Sequence, residues 1–163
     1  MDNDIIYSHR VKGTYCPQYD YYEIHKDGTV KFEGGQIYNE KERIGCMGKI
    51  PQYVVDEIER IIKDNPRVFV IDEITNNDYC CTDGAYTTFF FSYRQSKNEI
   101  EVYDIERFID LKKDGIIYRD ALLLIKIERK IERILTEIGI NPQEICYGPC
   151  VSPCITPLTP KYL

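Results

Sequence analysis

Hydrophobic and polar residues alternate through several stretches of this chain and recur at helical spacing through two others. In "QYDYYEIHKDGTVKFEGG", Asp27-Gly28 separates two alternating runs, the mark of a β-hairpin. A two-residue turn there would set Ile24 against Lys31 and Glu23 against Phe32, mixing charge with hydrocarbon on each face. A three-residue loop, Lys26-Asp27-Gly28, with Gly28 left-handed in a bulge, pairs Ile24 with Val30 and Tyr22 with Phe32 on one face and Glu23 with Lys31 on the other. The bulged hairpin is therefore expected.

A second hairpin is expected in "YTTFFFSYRQSKNEIEVYDI". A four-residue loop, Gln95 to Asn98, sets Tyr93 opposite Ile100 and Phe91 opposite Val102 on the inner face. Outward, Arg94 meets Glu99 and Phe90 meets Tyr103, pairs worth about 0.2–1 kcal/mol each. "IIYSHRVKG" reads as an opening strand, and "RVFVIDEI" as a further strand or extended edge.

Two segments carry the helical period. In "PQYVVDEIERIIKDNP" Val54, Ile58, Ile61 and Ile62 form one stripe, Pro51 suits the first helical position, and Asn65-Pro66 stops the run. From about Tyr118 to Ile138, Leu124, Ile127, Ile131, Ile134, Leu135 and Ile138 share a face, with Glu128, Arg129, Lys130, Glu132 and Arg133 elsewhere. Gly139 ends that helix. Strands, helix, strands, helix with hairpin connections define an α+β fold: an antiparallel sheet of about four or five strands, two hairpins plus edge strands, with both helices on one face. One domain over 1–140 is expected. Residues 141–163, "NPQEICYGPCVSPCITPLTPKYL", are rich in Pro and Cys without periodicity and read as an extended tail docked on the domain or on a partner.

The first hairpin and its approach, "YCPQYDYYEIHKDGTVKFEGG", resemble an uncharacterised bacterial domain family that reads Cys-x-Gly-x-Cys-Pro-x-Tyr, a strand, Asp-Gly, and a second strand ending Tyr/Phe-x-Gly. Cys16, Pro17, Tyr19, Asp27, Gly28, Phe32 and Gly34 match that pattern, a helix follows in place, and Thr82-Asp83 precedes the second hairpin. The resemblance spans about Val11 to Leu135. Lys12 stands where the family has its first cysteine, so no paired-thiol role passes to Cys16. What the resemblance implies is the fold, without an activity.

Composition narrows the partners. Net charge is -6 with 29% charged residues of both signs interspersed, and no Lys/Arg block tracks a phosphate backbone, so nucleic acid is not expected. The apolar run "ALLLI" is far shorter than the roughly 20 residues of a membrane span, and "MDNDIIYSHR" lacks a signal-peptide pattern. A cytoplasmic or virion-associated protein is the expectation. Abundant Ile, Tyr, Lys and Asn, with alanine only at Ala85 and Ala121, suggest an AT-rich coding sequence, as in a low-GC microbe or a large DNA virus.

Catalysis has few candidates. His9 and His25 both fall on strands, His25 as a surface residue, and no His-Glu-x-x-His, Gly-x-Ser-x-Gly or phosphate-cradling loop is present. Asp72, Glu73, Asp78 and Asp83 lack the spacing of a hand-type calcium loop. Cys146, Cys150 and Cys154 stand four apart, leaving three readings open: free thiols, disulfides, or zinc with a fourth thiolate from Cys16, Cys46, Cys80 or Cys81. Aromatics point elsewhere. The outward sheet face is expected to carry Tyr19, Tyr21, Phe90 and Tyr103 among Glu23, Lys31, Arg94 and Glu101, the make-up of a protein interface. The sequence thus reads as a non-catalytic interaction or structural subunit of an assembly with protein partners and no cofactor, the alternative being a metal-binding or redox-linked protein that uses the cysteine triplet.

Overall fold

The computed structural model describes residues 4–12, 19–34, 44–74, 85–110 and 115–140. Six strands form one antiparallel sheet: β1 Ile5–Lys12, β2 Tyr19–His25, β3 Thr29–Gly34, β4 Ile44–Lys49, β5 Tyr86–Tyr93 and β6 Ser96–Tyr103, in the order β4-β3-β2-β1-β5-β6. The opening strand lies centrally, between β2 and β5. Two long helices, α1 Gln52–Lys63 and α3 Ile116–Glu137, pack on the sheet, and the short α2, Arg107–Asp110, joins α3. The architecture is α+β, with one more strand than the pattern indicated.

Alternation on the strands and helical period on α1 and α3 meet in one core. Tyr7, Ile24, Val30, Phe32, Phe89, Phe91, Ile100 and Val102 from the sheet are buried with Val54, Ile58 and Ile62 of α1 and Leu124, Ile127, Ile131 and Leu135 of α3. α3 ends as Gly139 dictates. With Gly139 at φ 88°, its N–H donates to Thr136 O and the Ile140 N–H to Leu135 O, both 2.9 Å. α1 begins one residue later than expected: Pro51, extended at φ -62° and ψ 150°, caps it from outside.

The first hairpin has the expected register, Tyr22↔Phe32, Glu23↔Lys31 and Ile24↔Val30, with Gly28 at φ 84°. The second does not. Its turn is Arg94-Gln95, and Tyr93 pairs with Ser96, Phe91 with Asn98, Phe89 with Ile100 and Thr87 with Val102. A two-residue turn is the commonest hairpin connection, and here it requires Arg94 to adopt φ 55°. Phe89 thereby meets Ile100, while Asn98, expected in the loop, becomes a strand residue.

"RVFVIDEI" is not a ladder strand. Pro66–Phe69 is a 3-10 turn, and strand-like pairing with the sheet is one isolated parallel bridge, Ile74↔Val102. Asn98 holds this segment: its Nδ2 donates to Val68 O and Ile71 O, each at 2.8 Å. Arg67 fixes the other side by a bidentate pair with Asp120 of α3, at 3.0 and 2.8 Å. Among the described residues, no helix is long and apolar enough to cross a membrane.

Candidate functional site

The sheet has two faces of different chemistry. Ladder partners place the outward side chains in cross-strand rows: Lys31, Glu23, Ser8, Phe90 and Glu99; then Glu33, Tyr21, Arg10, Thr88 and Glu101; then Lys12, Tyr86 and Tyr103, with position 19 opposite Lys12. Of the four aromatic positions expected outward, Tyr21, Phe90 and Tyr103 belong to this face by register, one to a row, and the Tyr19 side chain lies outside what is described. Tyr103 pairs with Tyr86, ring centroids 4.9 Å apart, and Phe90 faces Glu99, so the anticipated Phe90–Tyr103 pair is replaced. Arg94 lies in the turn over the Tyr93 ring at 5.3 Å, away from Glu99. Arg10 supplies the cation that the sequence reading overlooked, 4.9 Å from the Tyr21 ring centroid.

Glu23 anchors this face. Its carboxylate accepts from the Tyr21 hydroxyl, from His25 Nε2 at 2.7 Å and from Lys31 Nζ at 3.2 Å. Burial alone would raise its pKa, but the hydrogen bonds from Tyr21, His25 and Lys31 outweigh that and hold it below the usual carboxylate value. Tyr21 responds in the opposite sense: burial, then its bond to the Glu23 carboxylate, push the phenol pKa far up. His25 is accordingly a half-buried partner of Glu23, in contrast to the free surface histidine expected.

A second polar constellation lies within the core, where pattern reading gave only apolar packing. His9, on the inner side of β1, stands between the Tyr22 and Phe89 rings, and its Nε2 is 3.0 Å from Glu128 Oε1 on α3. Glu132 follows one helical turn later. Burial, then repulsion from Glu128, raise its pKa to about 7. Beside them the hydroxyls of Tyr7 and Tyr22 are buried without a hydrogen-bond partner among the described residues. The available signal was spacing: Tyr7 and His9 alternate toward one side of β1, and Glu128 and Glu132 each follow a stripe residue, Ile127 and Ile131.

Among the described residues no group of three or more His, Cys, Asp or Glu side chains is placed to hold a metal. Cys16, Cys80, Cys81, Cys146, Cys150 and Cys154 lie outside the described residues, as do Asp78, Asp83 and the whole of 141–163. Asp72 and Glu73 are exposed. The fold is a six-stranded sheet with both long helices on one side, its other face dressed with aromatics and interleaved charge. No protein-family model matches the chain, and no curated protein matches it.

Proposed function

We propose that this protein is a non-catalytic interaction subunit that docks a protein partner on the outer face of its sheet, within a larger assembly. The observation that carries the reading is the set Phe90, Tyr21, Tyr86 and Tyr103, with Arg10 over Tyr21, on the sheet face opposite α1 and α3. Aromatic residues and arginine are the groups that dominate interface energetics, because they bury much area for few rotors. Here paired strands already hold them, so little ordering entropy remains to be lost on docking. Lys31, Glu33, Glu99 and Glu101 surround them and supply partner discrimination.

The test is to size the native particle from its source and then repeat the capture with a Phe90→Glu/Tyr103→Glu chain. A partner held at fixed stoichiometry, and released by the double substitution at unchanged thermal stability, supports the reading. A clean monomer, or a partner indifferent to the substitutions, overturns it. Intact mass with and without reductant, together with metal analysis, separates the alternative use of Cys146, Cys150 and Cys154: stoichiometric zinc or a mass step on reduction would favour it.

A further inference from the structure

Helix α3 sorts its charges by sign. Three of its four acids turn inward: Asp120 is buried against Arg67, Glu128 meets His9, and Glu132 is half-buried beside them, while Glu137 at the C-terminal end is exposed. Its bases turn outward. At about 3.6 residues per turn, Arg119, Lys126, Arg129, Lys130 and Arg133 fall on the side opposite Leu124, Ile127 and Ile131, and all five are exposed. Of the five only Arg133 has an ion-pair partner among the described residues, Glu137 at 3.2 Å, with both side chains largely in solvent. In a chain of net charge -6 this is a concentrated patch of the minority sign. The linear sequence disguises it, because Glu128 and Glu132 separate the bases along the chain while pointing elsewhere in space.

The cationic row borders a groove of about 370 Å³ between α2 and α3. Ile109, Leu122 and Ile125 give it an apolar floor, and Lys126, Arg129, Lys130 and Arg133 complete the lining. Leu122 is 44% exposed, so hydrocarbon and cations are presented together. The recess is shallow, and its apolar floor with cations along one side matches an amphipathic chain that carries acidic side chains. The adjoining groove between α1 and α3 mixes signs, with Glu57, Asp64 and Glu137 set against Arg60, Lys130 and Arg133, so the unbalanced positive charge lies on the α2 side.

We propose that this groove docks an acidic amphipathic segment of a partner protein, its apolar side chains on Ile109, Leu122 and Ile125 and its carboxylates on Lys126, Arg129, Lys130 and Arg133. This is helix-in-groove recognition with charge complementarity supplying register and encounter rate. It uses α3 and is separate from the sheet face.

The probe is a fluorescein-labelled peptide of about 18 residues, five helical turns, built from Glu and Leu at helical spacing and titrated into the full chain by anisotropy. Saturable binding is expected, weakening about tenfold or more between low and moderate salt as the Debye length shortens. Lys126→Glu/Lys130→Glu should weaken it by at least about tenfold, as should Leu122→Asp, whereas Lys26→Glu on the distant hairpin loop should not change it. All four positions are exposed, so the variants should keep the parent melting temperature. Equal binding by the double reversal, or equal binding of a Lys/Leu peptide, overturns the proposal. Binding of phosphatidylserine vesicles without binding of the peptide replaces it with a lipid surface. Self-association abolished by Leu122→Asp without peptide binding replaces it with a second copy.

Discussion

The backbone of Ile50 closes over Gly28. Its N–H donates to Gly28 O at 2.8 Å, and its carbonyl oxygen lies 2.5 Å from where a β-carbon on Gly28 would stand. The same loop is tied by Lys49 Nζ, 2.9 Å from Asp27 Oδ2 and 2.6 Å from Asp27 O, and hydrogen bonds from Lys49 and then Thr29 hold the Asp27 carboxyl far below the usual range. The bulge of the first hairpin is therefore the seat for the chain entering α1. Gly28→Ala meets both a left-handed φ and backbone, so it should cost about 2–3 kcal/mol or more. Gly139→Ala, left-handed at the end of α3, should cost about 1–2 kcal/mol. Urea unfolding of both variants checks the ranking; equal losses would mean that Ile50 gives way.

Asn98 Nδ2 donates to Val68 O in the 3-10 segment and to Ile71 O just beyond it. Asn98→Ala leaves Val68 O and Ile71 O without that donor, at about 1–3 kcal/mol. The loss should be local before it is global. Hydrogen exchange over residues 66–74 should accelerate more than over β1 and β5, and uniform acceleration would contradict the assignment.

The first hairpin was legible because Asp27-Gly28 names its loop and only one register separates charge from hydrocarbon. "YRQSKN" offers no glycine, and Arg94 takes a positive φ that its residue type does not announce, so the second register was set four residues away along β6. That shift is even, which is why Phe91, Ile100 and Val102 still face inward. β4 was missed for a different reason. Gly45 and Gly48 break its pattern, and the strand exists because β3 offers it an edge. The inner polar cluster was not legible as a cluster: alternation turns His9 inward with Tyr7, but nothing in the sequence joins it to Glu128, more than a hundred residues on. The outer aromatic face was legible because parity survives errors of register.

Tyr21→Phe removes one of three donors to the Glu23 carboxylate. A carboxylate with a depressed folded pKa contributes stability above its unfolded pKa, about 4, and that contribution is lost as pH falls through the folded value. The variant should lose about 1–2 kcal/mol at neutral pH. Its deficit should close in acid, as Glu23 protonates in both proteins. Melting temperatures against pH test this; a deficit constant down to strong acid would show that ring packing, not the carboxylate bond, was lost.

Glu132 has the opposite sign. Its folded pKa of about 7 lies above the unfolded carboxylate value, so the folded state holds the proton more tightly. Stability from this group is fully present below the unfolded pKa and is lost as pH rises through about 7. The charged groups acting on it are Glu128 and Glu106, which raise the pKa, and His9 and Arg129, which lower it. Glu132→Gln mimics the protonated form, so it should raise the melting temperature at pH well above neutral and change it little in mild acid. An identical effect across that window would place the carboxyl in solvent.

Beside it, Tyr7 and Tyr22 set a sharper test of the same interface. Their rings are useful: centroids lie 5.8 Å apart, Tyr7 packs on Phe91 at 5.5 Å, and Tyr22 stacks on Phe32 at 5.7 Å. Their hydroxyls are not, since each is buried beside the other without a well-formed hydrogen bond among the described residues; burial first, then Glu128 at Tyr7 and the Tyr7 phenol at Tyr22, push both well up. Stripping an unpaired buried hydroxyl removes a desolvation penalty of about 1–3 kcal/mol and leaves the ring contacts in place. Tyr7→Phe/Tyr22→Phe should therefore unfold at equal or higher denaturant concentration than the parent, with the same dependence on denaturant. A loss of more than about 1 kcal/mol would mean that the hydroxyls hydrogen-bond in solution, to each other or to water held between α3 and the sheet. Because Glu132 stands in the same layer, the double variant should also shift the pH at which stability begins to fall, whereas Tyr86→Phe on the outer face should leave that pH unchanged.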